Sequence, residues 1–200
     1  MKKIVLVITA LLLVGATALA QSATKVLDKC AATVSAKSGV TANFTMESAQ
    51  YGSLVGTISI KGKKFYMLSN ATTMWFDGTT LWTYMASNEE VNISTPNAQQ
   101  LQTLNPYHFI NLYKSGYSST MTTAASTYTV HLTATGDQQK IREAFLTIDK
   151  GSYAPKEIKL LSGTNWTTFT ISSLKTETVA DSRFRFDAAA YPNAEIIDLR

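Results

Sequence analysis

Two histidines and one cysteine are the whole supply of imidazole and thiol in this chain, and their placement limits the chemistry it can perform. His108 and His131 are far apart in sequence, and His131 alternates with threonines on the polar face of a strand pattern. A metal centre wants clustered His, Cys or carboxylates, and none cluster here. Cys30 has no second cysteine to bridge to. It shares helical spacing with Val26, Leu27 and Val34, which makes it a buried, inert thiol. Glu89-Glu90 reads as a solvated pair before a strand, and Asp77 belongs to a turn with Gly78. No G-x-S-x-G elbow and no phosphate-cradling glycine loop is present. Asn43, Asn70, Asn92 and Asn165 open Asn-x-Ser/Thr triplets that a threonine-rich chain produces by chance. These residues support no catalytic or metal role and call for no cofactor.

What the chain does hold in excess is greasy surface. The stretch KGKKFYMLSNATTMWFDGTTLWTY (61–84) carries three apolar and aromatic runs separated by polar turn residues. The last two runs flank Asp77-Gly78, the dipeptide that most favours a hairpin because Gly accepts positive φ. The stretch is an antiparallel meander with more apolar area than one sheet face of a small domain requires. Either Phe65 and Met67 or Tyr66 and Leu68 point inward, since both faces are apolar. Lys61, Lys63 and Lys64 form the only tight basic cluster and read as a solvated hairpin end.

The elements that must position this surface follow from periodicity. Residues 1–20 form a cleavable targeting segment. Lys2 and Lys3 start it, an apolar run from Ile4 to Leu13 is interrupted only by Thr9, and Ala18-Leu19-Ala20 supplies the cleavage site. That run is too short to span a bilayer comfortably. No cysteine follows the cleavage site directly, so the expected product, 21–200, is a soluble exported domain. The formal charge of +4 includes the two lysines of the segment, so the remainder is too mildly basic to argue for nucleic acid.

Residues 22–36 read as an amphipathic helix ended by Gly39, followed by strands at 40–46 and 55–60, with Gly56 and Gly62 at bends or turns. Beyond the meander lie a strand at 90–95 and helical segments at 97–104 and 106–114. Further strands fall at 117–123, 127–135, 144–149, 157–161 and 167–175, with a last one at Phe184-Arg185-Phe186. About eleven short alternating strands with few helices imply one strongly curved antiparallel sheet, with the helices packed on one face or plugging its mouth.

Several blocks resemble the LolA family of periplasmic lipoprotein carriers. They are the opening helix leading into VTANFTM, then KGKKFYML, FDGTTLWTY, NPYHFINLYKSGY and the closing FRFDAAAYPNAEIIDLR. The Asp77–Trp82 run with Tyr84 is the most specific of them. The resemblance implies a mainly β fold, an incompletely closed antiparallel barrel with a helical lid, as in LolA and LolB. It implies a single binding domain over 21–200 in the periplasm. Acyl chains of lipoproteins would be taken from an inner-membrane transporter and passed to an outer-membrane acceptor by a monomeric carrier without cofactor. A related module for another lipid or glycolipid has the same apolar needs and stays open as the alternative.

The task suits the residues. A buried methylene is worth about 0.8 kcal/mol, so a sixteen-carbon chain contributes roughly 12 kcal/mol gross. The expected lining is Phe44, Met46, Ile58, Ile60, Phe65, Met67, Met74, Phe76 and Leu81, with Phe109 and Leu112 from the lid. Methionine adapts to variable chains through its flexible thioether. The family's lid-closing arginine has no counterpart at Gly62 or its neighbours, leaving Lys63 and Lys64 as the candidate latch, without arginine's planar fork.

Overall fold

The computed structural model describes residues 23–97, 100–101 and 111–200. The expected targeting segment, most of the helical insert, His108 and Phe109 lie outside these residues.

Helix α1 covers residues 23–34. Ala23, Val26, Leu27, Cys30 and Val34 are buried along one stripe, as the three-to-four-residue spacing requires. The helix stops before Gly39. Ser35 closes it with both its backbone N–H and its hydroxyl, which donate to Ala31 O at 3.1 and 2.6 Å. Gly39 instead sits where the C-terminal segment crosses, and a Cβ there would lie 2.5 Å from Val179 Cγ2.

Twelve strands form one sheet. The first six are β1 (Val40–Ser48), β2 (Gly52–Lys61), β3 (Lys64–Ser69), β4 (Thr72–Phe76), β5 (Leu81–Met85) and β6 (Glu90–Ser94). After the insert come β7 (Tyr117–Thr123), β8 (Thr127–Ala134), β9 (Ile141–Asp149), β10 (Pro155–Ser162), β11 (Asn165–Thr176) and β12 (Glu195–Asp198). The order is β12-β6-β5-β4-β3-β2-β1-β11-β10-β9-β8-β7, with β12 and β7 at the edges, so the sheet is not closed into a barrel. Two antiparallel meanders, β1–β6 and β7–β11, join where β1 pairs with β11. Nine strands from β5 to β8 surround a single apolar cluster with α1. Laid flat, they would span roughly 38 Å, about twice the ~18 Å length of such a helix, so the sheet must curl around it. A bulge at the β1–β11 seam, with Ser173 at φ 54°, adds local twist there.

Gly56 is no bend. It lies within β2 opposite Phe44, where a Cβ would meet Leu68 O at 2.2 Å and the Phe44 ring at 3.0 Å. Its missing side chain is the room into which Phe44 packs.

The last expected strand is corrected. Asp181–Phe184 is a 3-10 turn, and Phe184 is fully buried as a plug rather than paired in the sheet. The terminal strand is β12, which runs parallel to β6, with Ile196 opposite Val91. Between them a second 3-10 turn, Ala188–Ala190, is capped by Asp187, whose carboxylate accepts from Ala189 N. The segment from Val179 to Tyr191 packs on the sheet face opposite α1, over Tyr66 and Trp75.

Candidate functional site

The α1-side face is assembled by strand alternation. β1 turns Phe44 and Met46 toward it, β2 turns Ile58 and Ile60, β3 Phe65 and Met67, β4 Met74 and Phe76, and β5 Leu81; all belong to the one cluster around α1. The register brings them side by side: Ile60 opposes Phe65, Ile58 opposes Met67, Phe65 opposes Phe76, and Met67 opposes Met74. The Phe65 and Phe76 rings lie 5.4 Å apart. Leu112, from the described end of the insert, packs on the same cluster, as do Leu101, Tyr113 and Tyr117.

The inward question is thereby answered. Phe65 and Met67 face α1, whereas Tyr66 lies under the C-terminal segment and Leu68 is exposed on the other side. The doubled apolar content of the meander has a plain cause: each of its faces carries a partial cover, α1 on one and the C-terminal segment on the other. Trp75 stands edge-on to Phe186 and Tyr191 at 5.4 and 5.5 Å. The Arg183 guanidinium lies 4.1 Å over the Tyr66 ring.

Burial along the α1-side face is graded. At one strand end, Val40, Ile60, Phe65, Phe76 and Leu81 are buried. Toward the other end the side chains are only partly covered: Met46, Leu54, Met67, Met74, Phe169 and Ile171. Met46 opposes both Leu54 and Phe169, and Met67 opposes Met74, with the buried Phe44, opposite Ile171 and Gly56, in the row between the two groups. Leu54, Phe169 and Ile171 escaped the sequence reading. The alternation Thr168-Phe169-Thr170-Ile171 was the signal that placed the last two on one face.

Polar groups fasten the covers. Tyr113 donates its hydroxyl to the Asp28 carboxylate on α1, tying the end of the insert to the helix. Burial, and next that hydrogen bond, push the Tyr113 phenol well above its ordinary pKa. On its other side α1 meets the β9–β10 turn, where Lys29 Nζ donates to Tyr153 Oη at 3.1 Å and Thr33 Oγ1 donates to Ser152 O at 3.3 Å. Lys64 Nζ lies 3.3 Å from Asp181 Oδ1, on the face away from α1. Lys61 reaches the same carboxylate at 3.1 Å and donates to Val179 O at 3.0 Å. The two lysines hold the Asp181 carboxyl below its usual range. Lys63 is exposed.

The groups that could do proton or metal chemistry are otherwise engaged. Burial pushes the Cys30 thiol up to about 12. His131 is half-exposed on the outer face, 2.9 Å from Glu143. Asp77 closes a four-residue loop by accepting from Thr79 N at 3.0 Å and Thr80 N at 2.9 Å. Among the described residues no group of three or more His, Cys, Asp or Glu could hold a metal ion. No helix among them is long and apolar enough to cross a membrane. What the site can do chemically is shelter apolar chains.

Solved structures with the same fold are distant in sequence. A conserved protein of Thermus thermophilus superposes with a TM-score of 0.61 at 11% identity, covering 88% of this chain and 99% of that one. A DUF1329 family protein of Desulfovibrio piger gives 0.50 at 10% identity, covering 86% and 99%. MucB gives 0.51 at 14% identity over 84% of this chain, which spans 64% of MucB. No curated protein matches in sequence. The family model described as outer membrane lipoprotein carrier protein LolA matches residues 13–191, nearly the full length over which the apolar face is built, and the chain belongs to that family.

Proposed function

We propose that the protein is a periplasmic carrier that takes up the acyl chains of lipoproteins against the α1-side face and shuttles them from the inner to the outer membrane. Residues 1–20 would direct export, and 21–200 would travel as a monomer between an inner-membrane transporter and an outer-membrane acceptor. The observation that carries this reading is the set of partly covered side chains on the α1-side face, Met46, Leu54, Met67, Met74, Phe169 and Ile171, beside a fully buried core. A finished core has no need of so many half-covered thioether and aromatic side chains, whereas a variable acyl chain needs side chains that re-pack around it. Phe44, Ile58, Ile60, Phe65, Phe76 and Leu81 would form the wall behind them, with Leu112 and Phe109 contributed by the lid. The contact of Tyr113 with Asp28 supplies a polar tie between the insert and α1. Opening for cargo would require it to break or move.

Native mass spectrometry of 21–200 with a synthetic triacylated lipopeptide tests the proposal, with the diacylated form and a phospholipid as competitors. Selective one-to-one retention of the triacylated peptide is the expected result. Retention of phospholipid alone would replace lipoprotein carriage with transport of another lipid. Retention of nothing would reject an acyl-binding role.

A further inference from the structure

The outer face of the β8–β11 wing carries a feature that acyl-chain binding does not use. Here three rings run diagonally across the strands. The His131 ring lies flat on Phe145, centroids 4.1 Å apart at 5°. The Trp166 ring follows 5.9 Å from Phe145 at 41°. Glu143 fixes the imidazole through a 2.9 Å hydrogen bond, so the platform is held in place. Trp166 is 38% exposed, and Phe145 and Trp166 border a concavity of about 450 Å³. On β10 beneath it stand Glu157 and Lys159, and Lys159 pairs across to both Phe145 and Thr168. Among the described residues neither Glu157 nor Lys159 forms an ion pair. The threonine hydroxyls of Thr147 and Thr168 complete the floor.

We infer that this concavity binds a neutral saccharide, with a pyranose ring stacked on Trp166 beside Phe145 and its hydroxyls bonded to Glu157, Lys159 and the threonines. An aromatic face is electron-rich and attracts the C–H edges that one side of a pyranose presents. A sugar's hydroxyls each need a donor and an acceptor, and the site supplies both in a carboxylate, an ammonium and neutral hydroxyls. One charge of each sign leaves no net field to draw in an anionic ligand such as a phosphate or a cationic one. Trp166 is splayed 41° from Phe145 and is open to solvent, which suits a puckered ring seated on the indole. A planar base would want a slot between two faces. A bare polar sheet face would place threonine at position 166, as it does at 168 and 170. The indole there is apolar area left in water, which a ligand would cover.

The site lies on the opposite side of the sheet from the lipid-facing surface, so the two readings stand or fall separately. The test is titration of 21–200 with cellohexaose, maltohexaose and chitohexaose, followed by calorimetry and by the indole N–H resonances of the three tryptophans. At least one hexasaccharide is expected to bind and to move the Trp166 resonance while leaving those of Trp75 and Trp82 in place. Trp166→Ala is expected to weaken that binding about tenfold or more, and Trp166→Phe to retain most of it. Lys159→Ala, which leaves the rings intact, should weaken it by a smaller factor. No binding of any of the three up to about 10 mM overturns the proposal. Binding that survives Trp166→Ala unchanged, in a variant whose other indole resonances are native, overturns it as well.

Discussion

The Tyr113 hydroxyl donates to the Asp28 carboxylate, so a residue at the end of the β6–β7 insert is fastened to the helix that covers the apolar face. The two parts are 85 residues apart in sequence. β6 lies next to one edge of the sheet and β7 forms the other. At an exposed site such as this one, a hydrogen bond to a carboxylate is worth less than the about 1.5–3 kcal/mol of a shielded one.

Tyr113→Phe removes this bond and keeps the ring. Hydrogen exchange is expected to rise in residues 111–116 and in α1, and bound lipopeptide is expected to leave faster by about tenfold. Equal exchange in wild type and variant would show that the bond holds nothing closed.

Met67 and Met74 face each other across β3 and β4 and are only partly covered. Met67→Glu is expected to fold, because its carboxylate can reach solvent, and to lose acyl-chain binding, because an ion there must be desolvated by the chain. Phe65 is fully buried, so Phe65→Glu is expected to unfold the protein instead. A thermal melt and native mass spectrometry on both variants separate the two outcomes. Normal lipid retention by folded Met67→Glu would remove that methionine from the site.

Cys30 is fully buried on the inner stripe of α1, and its thiol is pushed up to about 12. Only the thiolate reacts with alkylating and disulfide reagents. Labelling with a thiol reagent at pH 8 is therefore expected to be negligible in the folded protein and complete in denaturant. Rapid labelling of the native state would mean that α1 lifts from the sheet.

Asp149 accepts from Ser152 N and Ser152 Oγ, both at 2.9 Å, and from Gly151 N at 3.0 Å, and lies 3.1 Å from Lys156. Ser152 first, then Lys156, lower its carboxyl to about 2. A free aspartate titrates near ~3.9, so this carboxylate stabilises the fold fully above that pH and ceases to do so as pH falls through about 2. The melting temperature of wild type is expected to exceed that of Asp149→Asn at pH 7, with the gap closing between about pH 4 and pH 2. A gap that stays constant over that range would show that the charge contributes nothing.

Much of the architecture was legible because alternation in an antiparallel sheet is a local signal. Thr127–Ala134 and Val40–Ser48 announce both their strand character and their buried face. The inward side of Phe65–Leu68 was not legible, since a strand covered on both faces has no polar side to betray it. The cover responsible is Val179–Tyr191, whose Phe184 and Phe186 mimic strand alternation while one plugs the sheet and the other packs on Trp75. β12 was missed because four residues pairing in parallel to an edge leave almost no pattern. The strand residues among the lining candidates share one apolar cluster because register carries a whole face at once, so one correct strand assignment places its neighbours. Tyr113's partner was not legible, as nothing local links it to Asp28.

The C-terminal segment offers a separation of stability from binding. Phe184 is fully buried against Tyr66 and Trp75, on the face that does not meet α1. Phe184→Ala is expected to destabilise the fold by about 3–5 kcal/mol, because the cavity lies between a rigid sheet and a short turn held at Asp181 by two lysines. Trp75 would gain water contact, and its fluorescence is expected to shift to the red. Met46, Met67 and Met74 lie on the other side of the sheet and keep their neighbours, so the fraction that stays folded is expected to bind lipopeptide with unchanged affinity. Denaturant melts, fluorescence and native mass spectrometry on one sample read these three effects. A loss of affinity in fully folded Phe184→Ala would mean that the two faces are coupled through β3 and β4, and that the C-terminal segment sets the shape of the binding surface as well as the stability of the sheet.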